Sequence, residues 1–415
     1  MAEVHPFRGF RPPGEYVKEV ASRPYDVLNS EEAREEVKGN PRSFLHVVKP
    51  EVDLPEGTPL HSPGVYKKGK ENLDRLIREG FFRQDEQPMY YLYGQTMWGR
   101  TQYGIVGCAS VDDYLNGTIK KHELTRPDKE EDRMNHIRVT NFNAEPVFFA
   151  YPDHPGLDEI VQRIIREDME YDFVTGDGVG HHFWLIGDEK SVGQINRIFR
   201  NEIENTYVAD GHHRTAAAAL VGKERRENNS GHTGGEEYNY FLAVHFPASQ
   251  LTIIDYNRVI RDLDGMSPKQ FLEKLKEPFV VEEKGTEIHR PERLHNFGMY
   301  LEGKWYSLAA REGTYQDDDP IGCLDVTVLS DQVLGPLLDI TDLRKSDRID
   351  FVGGIRGLEE LVRRVDSGEM AVAFALYPVT MKQLMDIADS GMIMPPKTTW
   401  FEPKLRSGLV IHSLE

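Results

Sequence analysis

Apolar residues recur along this chain in two periods, and the elements change where the period changes. Leu73, Leu76 and Ile77 share one face of a helical pattern running from Tyr66 to Phe82. Leu157 to Met169 and Val192 to Phe199 read as further helices. Aromatic and β-branched residues dominate Met89 to Met97 and Thr101 to Val111, with Trp98-Gly99-Arg100 between them, which predicts a hairpin. Tyr171 to Val174 and His182 to Ile186 flank a glycine-rich turn and predict a second hairpin. Ser43 to Lys49 reads as a short strand and Val147 to Tyr151 as a buried one. An extended entry, Thr206 to Ala209, passes through Asp210 and Gly211 into a helix from Thr215 to Arg225 that opens on Ala216-Ala217-Ala218-Ala219. Strands are expected again at Tyr238 to Phe246 and Leu251 to Val259.

Near Asp262-Leu263-Asp264-Gly265 the pattern resets, and Ser267-Pro268 starts a new helix. Strands around Phe279–Glu282, Phe297–Leu301 and Trp305–Ala309 precede a helix from Val326 to Leu338. Strand and helix then alternate, at Asp350–Val352, Leu358–Val365, Ala371–Leu376 and Met381–Ala388, in a βαβα-like rhythm. The fold class expected is α/β (α+β mixed), with an N-terminal α/β region over residues 1–262 and a C-terminal α+β domain over 263–415.

Composition narrows the function more than the fold. A chain of 415 residues exceeds one ordinary core, in keeping with two domains. No run of about 18 apolar residues exists to cross a membrane, and Met1 to Pro6 lacks the features of a signal peptide. The two cysteines, Cys108 and Cys323, stand far apart, so a reducing cytoplasm is expected rather than a disulfide scaffold. A formal charge of −19 argues against nucleic acid as a partner. Neither a P-loop nor a G-x-G-x-x-G fingerprint is present, which argues against Walker or Rossmann nucleotide binding.

Chemistry concentrates at Tyr207-Val208-Ala209-Asp210-Gly211-His212-His213-Arg214-Thr215. A helix start offers free N–H groups and a positive dipole end, so anions settle there. Gly211 allows close backbone approach, and Arg214 can add a forked bond to phosphate or carboxylate. Asp210 and His213 are candidate acid–base groups. Adjacent histidines project in different directions on a helix, so His212 and His213 make a poor joint metal site. Asp177-Gly178-Val179-Gly180-His181-His182 is a second cluster, open to a phosphate or metal role or to a plain hairpin tip. Glu145 places a carboxylate just before a strand, and Lys397, Lys404 and Arg406 put cations in a proline-stiffened loop that could close over an anion.

Asp210-Gly211-His212-His213-Arg214 after a strand resembles the signature turn of the ParB/sulfiredoxin superfamily, in particular the branch containing free serine kinases. The wider chain resembles a bacterial and archaeal family known only as domain of unknown function 1015. That likeness runs from Pro6-Phe7-Arg8 and Pro24-Tyr25-Asp26-Val27-Leu28, through Gly39 to Val47, to Met394-Pro395-Pro396-Lys397-Thr398-Thr399-Trp400-Phe401 and Pro403 to Val410. The resemblance implies a ParB/sulfiredoxin-like core domain. It implies that Gly211, His212, His213 and Arg214 cradle nucleotide phosphates and that Asp210 orients them or a Mg²⁺. Beside the resemblance, the residues themselves offer Thr215, His181, Lys397 and Lys404 as further anion ligands and Asp177 as a second metal-side carboxylate. An acidic residue would deprotonate a hydroxyl; the resemblance does not fix which, and Glu145 is taken first, with Asp177 behind it. ATP, ADP or CTP is the implied nucleotide, and a small metabolite such as free serine the acceptor. A nucleotide sensor without turnover is the alternative, a ParB-like DNA binder a more remote one, and a homodimer is among the assemblies left open. Sulfiredoxins carry a catalytic cysteine where His212 stands, so sulfur chemistry is not expected.

Overall fold

The computed structural model describes residues 1–415 and has a mixed α/β architecture divided into two compact units. The first unit comprises Met1–Leu251 together with Pro403–Glu415, and the second comprises Thr252–Glu402. The boundary therefore falls before the reset near Asp262, and the last residues return to the first unit instead of completing the second. The return is made by pairing: His412–Ser413 lies antiparallel to Phe142–Asn143, and Ser407 and Ile411 bridge to Ser22 and Phe10.

The first unit is built on a nine-stranded mixed sheet. Its order is Ile119–Lys120, Thr206–Asp210, Val147–Tyr151, Tyr240–Pro247, Arg100–Ser110, Tyr90–Met97, Gly180–Ile186 and Tyr171–Val174, with Val4–His5 on Arg100–Ser110. Both predicted hairpins form, and the pairings of Thr206–Asp210 with Ile119–Lys120 and of Tyr240–Pro247 with Val147–Tyr151 are parallel. Strand alternation splits the apolar residues between faces. Phe149, Val208, Phe241 and Ala243 pack with Ala217 and Ala219 of the helix His212–Asn228. Tyr90, Leu92, Trp184 and Ile186 pack with the helices Pro155–Ile164 and Glu189–Glu202. Each large side chain so buried contributes about 1.5–3 kcal/mol. The alanine run lets the helix approach the sheet closely, which fixes the turn at its start.

Ser43–Lys49, expected as a strand, contains a short helix, Leu45–Val48, buried against Leu73 and Leu76. A short apolar run carries no periodicity that separates the two states. The polar stretch before Glu145 forms two helices, Val111–Asn116 and Pro127–Thr140.

The second unit holds a six-stranded sheet in the order Phe279–Gly285, Lys304–Ala310, Asn296–Leu301, Val372–Ala375, Tyr256–Ile260, Ile349–Gly353. Every pairing in it is antiparallel, so the βαβα-like rhythm does not produce parallel strands. The helix Glu359–Asp366 packs Leu361 on Val259, Ala373 and Trp305. No helix of the protein is long and apolar enough to cross a membrane.

Candidate functional site

The strand Thr206–Asp210 ends at Gly211, which adopts φ 90° and ψ 33° and starts the helix His212–Asn228. That left-handed conformation suits glycine because it has no Cβ. A Cβ here would also press on the Arg214 guanidinium, whose Nε and Nη2 stand 3.2 Å from its position. The helix has no side-chain cap and no acidic residue in its first turn, so no side chain of that turn caps its leading amides. Thr215 is fully buried, and its hydroxyl donates to the Gly211 carbonyl at 3.0 Å, which stabilises the turn without facing a ligand.

Asp210 joins two parts of the site. Its Oδ1 accepts from the Gly211 amide at 2.9 Å, and its Oδ2 accepts from Lys404 Nζ at 2.8 Å. Burial alone would raise the pKa of this carboxyl, but Lys404 and then Arg214 outweigh it and hold Asp210 below the usual carboxylate range. The Lys404 carbonyl accepts from Gln95 Nε2 at 2.9 Å, which anchors the returning segment on the sheet.

Arg214 lies 92% shielded from solvent, being 8% exposed. Its Nη1 donates to the Pro146 carbonyl at 2.7 Å, its Nη2 lies 3.8 Å from Asp26 Oδ2, and its Nε has no hydrogen-bond partner. Burial opposes its charge, but Asp26, Glu145 and Asp210 overcome that and raise its pKa. Asp26 was not singled out as a site residue by the sequence. It sits on the single helical turn Tyr25–Val27, and its side chain is 41% exposed beside Arg214. Only its place in Pro24-Tyr25-Asp26-Val27-Leu28, within the segments that carry the family resemblance, could have drawn attention to it.

Glu145 is 5% exposed. Its Oε1 accepts from the Tyr25 amide at 3.1 Å and the Ser407 hydroxyl at 3.2 Å, and its Oε2 lies 3.6 Å from Arg133 Nη1. Burial pushes its pKa up against the pull of Arg214 and Arg133. A small pocket adjoins this network, lined by Arg133, Glu145, Arg214 and the apolar Ala218 and Phe241 among others.

The two histidines of the turn diverge, as their helical spacing requires. His212 is buried edge-on against His122, with ring centroids 4.4 Å apart, and burial holds its pKa well below the usual value. His213 Nε2 accepts from the Arg126 amide at 3.0 Å, and burial lowers its pKa as well. Neither ring is placed to carry a proton at neutral pH.

Asp177 and His181 belong to a separate cluster. Arg406 pairs with Asp177, and its Nε lies 3.3 Å from His181 Nε2. His181 Nδ1 lies 2.7 Å from the Tyr93 hydroxyl, and burial with Arg406 drives its pKa down to about 3. With 1% exposure it is a neutral packing imidazole and not an accessible phosphate ligand. Asp210 and Asp177 thus sit in different ion pairs, and no three His, Cys, Asp or Glu side chains converge to hold a metal ion. Lys397 lies in the second unit, at φ 59° and 5.9 Å from the Tyr256 ring.

The model of the family described as "Protein of unknown function (DUF1015)" matches residues 4–327. The chain belongs to this family. No curated protein matches it. Among solved structures, it is similar to a free serine kinase variant in complex with AMP at TM-score 0.37 and 14% identity, over 78% of this chain and 93% of that one. A conserved hypothetical protein from Pyrococcus furiosus is similar at TM-score 0.35 and 15% identity, over 74% of this chain and 95% of that one. SbnI from Staphylococcus aureus, truncated at its C-terminus, is similar at TM-score 0.39 and 12% identity, over 74% and 87%.

Proposed function

We propose that the turn at Gly211 binds the phosphates of a nucleotide and that the protein transfers a phosphoryl group to a small hydroxyl-bearing metabolite, free serine being one candidate. The observation that carries this reading is the uncapped helix start set beside Lys404, with an exposed carboxylate, Asp26, next to the guanidinium of Arg214. The likeness of the motif to the ParB/sulfiredoxin superfamily supports it.

Phosphoryl transfer asks a protein for positioning and charge neutralisation more than for covalent chemistry. The first-turn amides and Lys404 hold the phosphate oxygens. Asp210 fixes Lys404 and ties it to the turn. Asp26 accepts the acceptor's hydroxyl proton as that oxygen bonds to the terminal phosphorus. The bridging P–O bond then breaks, and its electron pair leaves on the nucleotide. Asp26 is the better proton acceptor than Glu145, because solvent and substrate can reach it and no backbone amide occupies it. Magnesium would be held by the nucleotide's phosphate oxygens with one or two carboxylates, as is usual for Mg²⁺ in phosphoryl transfer.

The test is incubation of the full chain with ATP, ADP or CTP, Mg²⁺ and a panel of hydroxy amino acids, with detection of phosphorylated product. Asp26→Asn is expected to bind nucleotide as the wild type does and to lose turnover. Nucleotide binding without turnover across the panel would favour a sensor. No binding by the wild type, or unchanged binding in Lys404→Met, would remove the site.

A further inference from the structure

Glu145 and Asp26 lie in one network but in opposite surroundings. Glu145 is enclosed, and both its oxygens face groups of the protein. Asp26 is open. Between them stands Tyr25, which is held twice: its amide donates to Glu145 at 3.1 Å, and its ring lies 4.0 Å under the Arg133 guanidinium. Arg133 is itself fixed, donating through Nε and Nη2 to Asp132 Oδ2 at 2.9 and 2.7 Å. Asp132 Oδ1 in turn accepts from the Tyr66 hydroxyl at 2.8 Å and lies 2.7 Å from His61 Nδ1. The helix of Tyr66, the helix of Arg133, the segment before Val147 and the returning tail at Ser407 therefore converge on one short helical turn. That turn has no side-chain cap of its own.

We infer that Glu145 is a positioning residue, which with Arg133 clamps the Tyr25–Val27 turn so that Asp26 faces Arg214 and the ligand. The inference rests on the reading of Asp26 as the proton acceptor, and it assigns Glu145 a different part from the base expected from the sequence. Glu145 acts through the Tyr25 amide, so its geometry matters more than its charge. Gln at 145 keeps an oxygen where Oε1 stands. Asp keeps the charge but withdraws it by one methylene from Tyr25. Burial pushes the Glu145 pKa up against the pull of Arg214 and Arg133.

Two readouts on the full-length chain separate the clamp from the proposed reaction. Hydrogen exchange at the Tyr25 amide needs no substrate. Glu145→Ala and Glu145→Asp should each accelerate it about tenfold or more, whereas Glu145→Gln should stay within about threefold of wild type. Where an acceptor is turned over, kcat should fall about tenfold in Glu145→Asp with nucleotide Kd unchanged, and Glu145→Gln should restore it with an unaltered pH profile. Two results would overturn the clamp: unchanged Tyr25 exchange in both Glu145→Ala and Glu145→Asp, or Glu145→Gln abolishing turnover as completely as Asp26→Asn. If Glu145→Ala does not fold, the Asp and Gln variants carry the comparison alone. A wild type inactive toward every acceptor defeats the proposed reaction, and the exchange result still decides the clamp.

Discussion

Gly211→Ala separates two effects that meet at one atom. The first is backbone strain: φ 90° belongs to the left-handed region, where an alanine costs about 1 kcal/mol more than glycine. The second is contact, because the new Cβ would sit 3.2 Å from Arg214 Nε and Nη2 and 3.3 Å from Cζ, tighter than ordinary packing. The guanidinium must then shift by a few tenths of an ångström, which disturbs its 2.7 Å bond to the Pro146 carbonyl. Loss of a charge-assisted bond of that kind costs about 1.5–3 kcal/mol. The sum is at most about 2.5–4 kcal/mol, or up to roughly 5–15 °C in Tm for a unit of this size. Gly117 supplies the control. Its φ is 85°, it caps the helix Val111–Asn116, and a Cβ there would meet nothing within 4 Å. Gly117→Ala should therefore show the strain alone, about 1 kcal/mol. The assay is thermal and urea denaturation of both variants, with nucleotide affinity measured alongside. Equal destabilisation by the two substitutions, together with unchanged affinity in Gly211→Ala, would refute the claim that the arginine is packed onto the glycine.

Lys404→Met should destabilise the protein by about 1–3 kcal/mol at pH 7, a range reduced because both partners are partly exposed. The depressed pKa of Asp210 makes its stabilisation present above the unfolded value of about 3.9 and lost as pH falls below it, so the gap between variant and wild type should narrow in urea titrations at pH 3. Asp325, in the second unit, has the opposite sign. Burial pushes its pKa up to about 7 against hydrogen bonds from the His295 and Tyr377 amides. The unfolded chain releases that proton near pH 4 and the folded one near pH 7, so stability should fall across that window by up to about 4 kcal/mol. Asp325→Asn should flatten the loss, as read from Tm between pH 5 and pH 8, and an unchanged slope would show that Asp325 does not set it.

What the sequence makes legible is what is local in it. The strand, the glycine and the helix of the central turn are consecutive residues, so periodicity and one left-handed position expose them. The partners of that turn are not consecutive. Lys404 stands out as a cation in a stiff loop, but nothing in its neighbours says that it ends 2.8 Å from Asp210. Asp177 and His181 have the composition of a site, and a distant Arg406 turns them into a packed cluster instead. Asp26 looks like any loop acid until Tyr25 is seen clamped behind it. The same limit acts on the fold. Element order in the second unit is readable, whereas strand direction depends on which strands become neighbours. At Ser43–Lys49 an apolar run too short to show a period became a helix because Leu45 and Val48 pack onto the helix Pro63–Arg78.

Burial then sorts the members of the motif by what each can do. Thr215, His212 and Arg214 are 0%, 5% and 8% exposed, which leaves their side chains to shape the turn and not to meet a ligand freely. The groups more open to solvent are others: the side chains of Lys404, Asp210 and Asp26 at 21%, 30% and 41%. Two of those three come from segments far from the turn in sequence. On the proposed reading, the stretch from Gly211 to Arg214 presents backbone amides, and Asp210 is the motif's one open side chain among these three. Its chemistry is completed by whatever the N-terminal turn and the returning tail bring to it. A relative that kept the five motif residues but lacked a carboxylate at Asp26 or a cation at Lys404 should bind phosphate weakly or not turn it over. That outcome can be read directly by combining Asp26→Asn with Lys404→Met in this chain. Loss of both binding and turnover with the fold intact, by far-ultraviolet circular dichroism, is the expected result. Retained turnover would place the chemistry within the motif itself.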